Sequence, residues 1–269
     1  MPRFRFTLEY DGARFAGWQR QGQGERTVQE ELERALAELA GGRRVEAMGS
    51  GRTDAGVHAL AQVASAWLDT ALDPATLQRA LNAKLPADVA VLAVEQVADD
   101  FDARRDALAK LYRYAIWNAP QRSPLRAARA HWVPTGADGR GLDVEAMREA
   151  AAQLVGERDF AAFCAAGSSV ATTVRRLLRL DVVARARPEG REIEIEAEGA
   201  GFLRHMVRNL AGTLVEVGQG RRAAGSMPAL LASRDRGAAG PTAPACGLAL
   251  VAVRYARAGA ADSAVESDG

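Results

Sequence analysis

The most unusual segment of this chain is a glycine-rich stretch at residues 49–58, which reads Gly-Ser-Gly-Arg-Thr-Asp-Ala-Gly-Val-His. Glycine permits tight turns and the close approach of a ligand to the backbone. An ionised carboxylate such as that of Asp54 can serve as a covalent nucleophile, which divides one difficult step into easier ones. A surface turn in which Asp54 bonds its own backbone would use the same residues. The stretch therefore predicts either a nucleophile loop or an ordinary turn.

Hydrophobic periodicity predicts the elements that hold this loop. Residues 3–10 alternate between apolar and polar types, which predicts a half-buried strand. Thr27 and Glu30 have the capping-box spacing that predicts the start of a helix, and Gly41 predicts its end. The other predicted elements before residue 100 are strands at 43–49, 59–68 and 89–97 and a helix from Asp73 to the residues before Pro86.

The second part of the chain repeats this alternation of strands and helices. It predicts strands at 108–118, 174–186, 191–198 and 247–255, and helices from Asp143 to Gly156, at 202–217 and at 227–234. The element order is roughly β-α-β-β-α-β twice, which predicts an α+β fold of two ferredoxin-like halves. We assign these halves to residues 1–106 and 107–257, and we expect residues 258–269 to form a disordered tail.

The composition favours a cytoplasmic globular protein. Of the 269 residues, 48% are hydrophobic, which is enough for a sizeable core. No apolar run reaches the roughly 18 residues of a membrane span, and the alternating N-terminal residues do not resemble a signal peptide. The two cysteines, Cys164 and Cys246, and the three histidines lack the spacing of a metal site. We therefore expect a reducing compartment, no membrane span and no metal.

Arginine carries almost all of the positive charge, since lysine occurs only at positions 84 and 110. Arginine makes forked contacts with phosphate and stacks on bases, although a high-GC coding bias would give the same count. The net charge of only +1 does not exclude a basic face, because the acidic residues are concentrated in amphipathic helices and in the tail.

The segment Gly51–His58 resembles the signature loop of the tRNA pseudouridine synthase A family. Further blocks resemble the same family, and they follow its order from residue 3 to about residue 255. These blocks are Tyr10-Asp11-Gly12 with Phe15–Gln19, Thr27-Val28-Gln29, Leu111–Tyr114, Phe202 with His205–Asn209, and Thr242–Ala245 with Gly247-Leu248. The agreement of several blocks in one order argues against a chance match.

The resemblance implies a fold and a reaction. The family fold is a pair of α+β halves that share one continuous, mostly antiparallel sheet with a central RNA-binding cleft. The implied enzyme breaks the N-glycosidic bond of uridine, turns the base and joins ribose C1′ to base C5, at positions 38, 39 and 40 in the anticodon arm of tRNA. The resemblance also implies a homodimer without a cofactor. It leaves open the dimer geometry, the preferred tRNAs and the relative rates at the three positions.

The resemblance also assigns three catalytic residues. Asp54 is the nucleophile, which attacks either C6 of the base or C1′ of the sugar. Arg208 is the fixed cation that keeps this carboxylate charged in a water-poor pocket, and its fork can contact the carboxylate twice. Tyr112 stacks on the target base and takes the C5 proton. The alternatives are a solvated helix face for Arg208 and, for Tyr112, a core stripe shared with Tyr114.

The same resemblance extends to substrate binding. Arg52 is expected to hold the target base out of the helical stack, a displacement that costs a few kcal/mol. The other expected contacts with substrate come from Gly51, Thr53, His58 and the ring of Tyr112. His58 and His205 have either a structural or an RNA-contacting role. Arg204, one predicted helical turn before Arg208, is a surface or phosphate-contacting residue.

Two other functions would use the same scaffold or the same bond. A catalytically silent RNA-binding or RNA-folding module would have no need of Asp54, Tyr112 and Arg208 together. A nucleoside hydrolase would cut the same glycosidic bond, but it would need an activated water and usually metal-binding carboxylates, which the sequence does not group. We therefore expect a tRNA pseudouridine synthase, with the silent module as the alternative.

Overall fold

Ten β-strands and five α-helices lie within the residues that the computed structural model describes, which are 1–22, 24–136, 139–167 and 170–256. The strands are β1 (Arg3–Tyr10), β2 (Met48–Gly49), β3 (His58–Trp67), β4 (Val89–Val97), β5 (Ala109–Asn118), β6 (His131–Val133), β7 (Gly156–Asp159), β8 (Val174–Arg187), β9 (Gly190–Gly199) and β10 (Leu248–Arg254). The helices are α1 (Val28–Leu39), α2 (Pro74–Asn82), α3 (Val144–Ala152), α4 (Met206–Gly218) and α5 (Met227–Ser233). None of these five helices has the length and apolar character needed to cross a membrane. The predicted tail at 258–269 lies outside the described residues.

All ten strands belong to one sheet. Its main path runs β4-β1-β3-β10-β5-β9-β8-β7, and the short strands β2 and β6 pair with β3 and β5. The pairs β3–β10 and β5–β6 are parallel, and the other pairs between described strands are antiparallel. The predicted α+β fold with one continuous, mostly antiparallel sheet is therefore confirmed.

The same strand arrangement occurs on both sides of the β3–β10 pair. The first part of the chain contains β1 to β4, and the second contains β5 to β10. In the first part β1 pairs with β4 on one side and with β3 on the other, and in the second part β5 pairs with β10 on one side and with β9 on the other. These triplets are β4-β1-β3 and β10-β5-β9, as in two ferredoxin-like units. The units meet where Ala249 lies opposite His58, so the loop that precedes β3 lies at their junction. The boundary near residues 106 and 107 stays a prediction.

The strand predicted at 43–49 is wrong for most of its length, because β2 contains only its last two residues. Side chains of α1 bind the backbone that would have continued this strand. Ala47 N–H donates to the Glu33 carboxylate at 3.0 Å, and Gln29 Nε2 donates to the Ala47 carbonyl at 3.1 Å. The hydrogen-bonding groups of Ala47 are therefore already used, and no strand partner is needed there.

Two helix boundaries also differ from the prediction. α4 begins at Met206 instead of residue 202, because His205 has a left-handed backbone with φ of 60° that a right-handed helix does not include. Arg204 therefore precedes the helix, and its predicted place one turn from Arg208 on the same helix is wrong. α3 ends at Ala152 instead of reaching residue 156, where the unpredicted strand β7 begins.

Candidate active site

The loop between β2 and β3 carries Asp54, and residues 15–18 pack against its backbone. Trp18 N–H donates to the Thr53 carbonyl at 3.1 Å. Gly17 permits this contact, because its φ is 113° and a Cβ at this position would lie 2.6 Å from the Thr53 carbonyl oxygen. The backbone next to Asp54 is thus fixed by another of the family-like blocks.

Thr53 of this loop and His58, the first residue of β3, are both expected to contact substrate. The hydroxyls of Thr53 and Tyr10 are 2.8 Å apart and share a hydrogen bond. Gly12 N–H donates to His58 Nδ1 at 3.1 Å. Thr53 and His58 are each 6% exposed. Their observed contacts are with protein groups that hold the loop, and a contact with substrate stays a prediction for both.

Arg208 of α4 reaches Asp54 across 154 sequence positions. Arg208 Nη1 lies 3.4 Å from Asp54 Oδ2, and both side chains are largely withdrawn from solvent. Arg208 Nε donates to the Ala243 carbonyl at 2.8 Å, and Ala243 N–H donates back to the Arg208 carbonyl at 3.2 Å. The guanidinium therefore contacts the carboxylate through one nitrogen instead of two, and its Nε–H group binds the backbone of the closing segment, residues 242–248.

His205 is a second basic group at Asp54. Its Nε2 lies 3.6 Å from Asp54 Oδ2, the same oxygen that Arg208 contacts. Burial is the main cause that lowers the pKa of His205, Asp54 opposes this effect, and the charge of Arg208 adds to it. These effects together favour the neutral form of the imidazole. The sequence left its role open, because no sequence pattern marks a left-handed histidine inside a helical periodicity.

Tyr112 and Tyr114, two residues apart on β5, have different surroundings. Tyr114 is fully buried, and its hydroxyl donates to the Pro244 carbonyl at 2.9 Å. The Tyr112 ring packs edge-on against Phe202, with 5.1 Å between the ring centroids. Burial, with smaller contributions from Tyr10 and Asp54, raises the pKa of Tyr112, whose hydroxyl has no hydrogen-bond partner in the described part of the chain. Of the two phenols, Tyr112 alone has a polar group left for a substrate.

Arg52 and Gly51 lie on the more open part of the loop. Arg52 is exposed, and it forms no ion pair with a carboxylate of the described residues. A Cβ on Gly51 would lie 3.1 Å from Lys110 Nζ, so the missing side chain leaves room for that ammonium group. The contacts of Arg52 and Gly51 with substrate stay predictions.

The segment that binds Arg208 depends on a glycine of α4. A Cβ on Gly212 would lie 1.8 Å from the Pro241 carbonyl oxygen, so Gly212→Ala is expected to push this segment away from the helix. Overpacking of this kind costs about 1–3 kcal/mol of stability, and turnover should also fall because Ala243 holds Arg208. Urea unfolding checks the stability. Gly225→Ala is the control, since its Cβ would meet nothing within 4 Å, and equal midpoints for the two variants would contradict the expectation.

The histidines and cysteines that the sequence analysis considered for a metal site do not form a cluster in the described residues. In the ranges that the structure describes, no three side chains of His, Cys, Asp or Glu are grouped so that they could hold a metal ion. Cys164 is buried, Cys246 is half-buried, and both are free. His131 packs edge-on against Tyr114 with ring centroids 6.2 Å apart, so its contacts lie in the packing around β5.

Comparison with known proteins gives the family of this chain. The sequence profile of the family described as "tRNA pseudouridine synthase" matches residues 7–106 and 150–256. A relative from Myxococcus xanthus named tRNA pseudouridine synthase A is 48% identical over 255 residues, which cover 95% of this chain and 92% of the relative. A relative of the same name from Solidesulfovibrio magneticus is 48% identical, and the match covers 97% of this chain and 94% of the relative. Another from Thermus thermophilus is 45% identical, and the match covers 95% of this chain and 97% of the relative.

Among solved structures, a chain of "Crystal Structure of a Cbf5-Nop10-Gar1 Complex" is similar over 79% of this chain and 45% of its own. The sequence identity is 14% and the TM-score is 0.31, so this likeness carries no argument. The assignment comes instead from the profile and from the relatives, which match nearly the whole length at 45–48% identity. This chain belongs to the tRNA pseudouridine synthase family.

Proposed function

We propose that this enzyme uses Asp54 as the nucleophile that converts uridine to pseudouridine at positions 38, 39 and 40 in the anticodon arm of tRNA. Family membership makes the chain an isomerase that acts on uridine in tRNA. One observation carries the finer proposal: a partly exposed carboxylate lies on a fixed loop, 3.4 Å from a half-buried guanidinium. A reactive group next to a fixed opposite charge in a cleft is typical of a functional site.

The reaction requires the glycosidic bond between N1 and C1′ to break and a bond between C5 and C1′ to form. Asp54 forms a transient covalent bond with either C6 of the base or C1′ of the sugar. After the base has turned, C5 loses a proton and N1 gains one, so the overall change is an isomerisation. Arg208 and His205 both lie at one oxygen of Asp54, which supports a role in orienting the carboxylate toward the nucleotide.

Tyr112 has two roles in this proposal, as a stacking surface for the turned base and as the acceptor of the C5 proton. The T-shaped contact with Phe202 fixes the ring and so supports the first role. The raised pKa of Tyr112 keeps its hydroxyl protonated near pH 7. As the oxygen accepts the proton from C5, it must therefore release its own proton to water, and N1 of the turned base takes up a proton in exchange. Stacking and proton transfer can be separated by substitution.

Tyr112→Phe is expected to bind tRNA as the wild type does, because phenylalanine offers the same ring face. Turnover should fall by about 10²-fold or more, the usual contribution of a proton-transfer group, with the loss in a step after glycosidic cleavage. Tyr112→Ala should also lose about 1–3 kcal/mol of base stacking. Single-turnover product formation and tRNA affinity measure the two effects.

Tyr114→Phe is the matched control for this pair of variants. It removes a buried hydroxyl that bonds Pro244, so it should cost about 1 kcal/mol of stability without a block in catalysis. If Tyr112→Phe turns over like the wild type, its hydroxyl transfers no proton. If Tyr112→Ala is also unchanged, Tyr112 belongs to the core.

Incubation with unmodified tRNA distinguishes the competing functions. Pseudouridine at positions 38–40 is the expected product. Free uracil would instead identify a nucleoside hydrolase, and tRNA that is bound but unchanged would identify a silent RNA-binding module. Pseudouridine confined to other positions would contradict the proposed site on tRNA.

The proposal includes a homodimer that acts in the cytoplasm. A folded tRNA exceeds the span of one such cleft, so the partner subunit is expected to contact the same molecule. Sedimentation together with an activity assay checks this part. A stable monomer with full activity would refute the homodimer and leave the proposed chemistry unaffected.

A further inference from the structure

Lys110 places an ammonium group against the catalytic loop. It is the second residue of β5, and because side chains alternate along a strand it lies on the same face as Tyr112. The two residues are separated by about 7 Å along the strand, at roughly 3.3 Å per residue. The Nζ atom lies 3.1 Å from where a Cβ on Gly51 would be. The ammonium therefore lies at the Asp54 loop, on the face of β5 that also carries Tyr112.

No carboxylate in the described part of the chain pairs with this ammonium group. Within the described residues Lys110 forms neither a hydrogen bond nor an ion pair. Burial, followed by the positive charge of Arg104, lowers the pKa of Lys110. Partial withdrawal of an unpaired charge from water costs free energy, and the positive charge of Arg104 adds to that cost. Such an arrangement is typical of a functional site whose missing charge comes from a ligand.

The choice of lysine at this position also requires an explanation. All but two of the 35 basic residues are arginine. The other lysine, Lys84, is at the surface and pairs with Glu38 at 2.8 Å. An ammonium is a compact point charge, whereas a guanidinium is a larger planar group. The narrow space beside Gly51 admits the compact group, which indicates that residue 110 needs a positive charge of small size.

We propose that Lys110 is a binding subsite for a phosphodiester group of the tRNA backbone next to the target uridine. A phosphate would supply the missing negative charge. Lys110 and Tyr112 are close enough along β5 for neighbouring nucleotides of one RNA strand to contact both. The subsite rests on the proposed tRNA substrate. It adds a contact that fixes the position of the sugar at the Asp54 loop, so Lys110 is a positioning residue.

The test compares binding of unmodified tRNA by the wild type, Lys110→Met and Lys84→Met over a range of salt concentrations. Loss of one phosphate contact should lower the slope of log affinity against log salt by about 0.7–0.9. For Lys110→Met we therefore expect about a tenfold loss of affinity near 0.1 M salt, with KM affected more than kcat. Lys84→Met should behave as the wild type.

Thermal unfolding of the free protein distinguishes a binding role of Lys110 from a purely structural one, because loss of a structural lysine would lower the stability. Lys110→Met should be at least as stable as the wild type, since it removes an uncompensated charge, although it binds tRNA more weakly. Lys110→Arg should recover only part of the affinity, because a larger head group has to occupy the space beside Gly51 that the ammonium fills. If the Met variant fails to fold, Lys110→Gln replaces it in every comparison.

An unchanged affinity and salt slope in a folded Lys110 variant would overturn the subsite. Full recovery of affinity in Lys110→Arg would overturn the argument from size. Failure of the proposed function would give a different result from failure of the subsite. The wild type would then bind tRNA and form no pseudouridine, but Lys110→Met and Lys84→Met would still differ in the slope of log affinity against log salt.

Discussion

Asp54→Asn is expected to abolish pseudouridine formation and to leave tRNA binding near normal. Asparagine keeps the size of the side chain and most of its hydrogen bonding, but its amide has no nucleophilic charge. Arg208 would retain its bond to Ala243, so the fold around the site should persist. Loss of a covalent nucleophile lowers turnover by an order of 10⁴-fold or more. Single-turnover assays with unmodified tRNA measure this loss.

Asp69→Asn is the matched control for this variant. Asp69 is exposed, and its carboxylate pairs with Arg43 at 2.9 Å on the surface, so its loss should change neither turnover nor binding. Thermal unfolding of both variants shows whether the fold is intact. If Asp54→Asn formed product at even a few per cent of the wild-type rate, Asp54 would not be the nucleophile.

The second large effect is expected for Arg208→Lys. Arg208 uses one nitrogen for Asp54 and another for the Ala243 carbonyl. A lysine ammonium is a single point charge that cannot occupy both positions. Asp54 should lose its fixed partner and the closing segment should lose its anchor. We expect turnover to fall by about 10²–10³-fold, the range observed when one preorganised donor is removed from an active site.

Arg221→Lys is the control for this exchange, because Arg221 lies just after α4 and is exposed. It should retain wild-type turnover. Single-turnover kinetics, tRNA affinity and urea unfolding together separate a loss of catalysis from a loss of fold. Unchanged single-turnover kinetics in Arg208→Lys would remove Arg208 from the proposed site, even if its contact with Asp54 persisted.

The local elements of this fold could be predicted from the sequence, because their signals lie within a few residues. The alternation at 3–10 gives a strand with one buried face. Thr27, Asp73 and Asp143 each precede a helix, and each side chain accepts a hydrogen bond from the backbone N–H three residues later. The fold class followed from the order of such elements, and the family blocks drew attention to Asp54, Tyr112 and Arg208.

The tertiary structure alone decided which of these groups meet and how. The contact of Asp54 with Arg208 spans 154 positions and depends on α4, on the Ala243 backbone and on the β3–β10 junction. The left-handed backbone of His205 ends the predicted helix early and leaves an imidazole near Asp54. Side-chain chemistry and helix capping are local properties that a sequence expresses directly. Long-range contacts depend on the packing of the whole sheet and its helices, so no short segment encodes them.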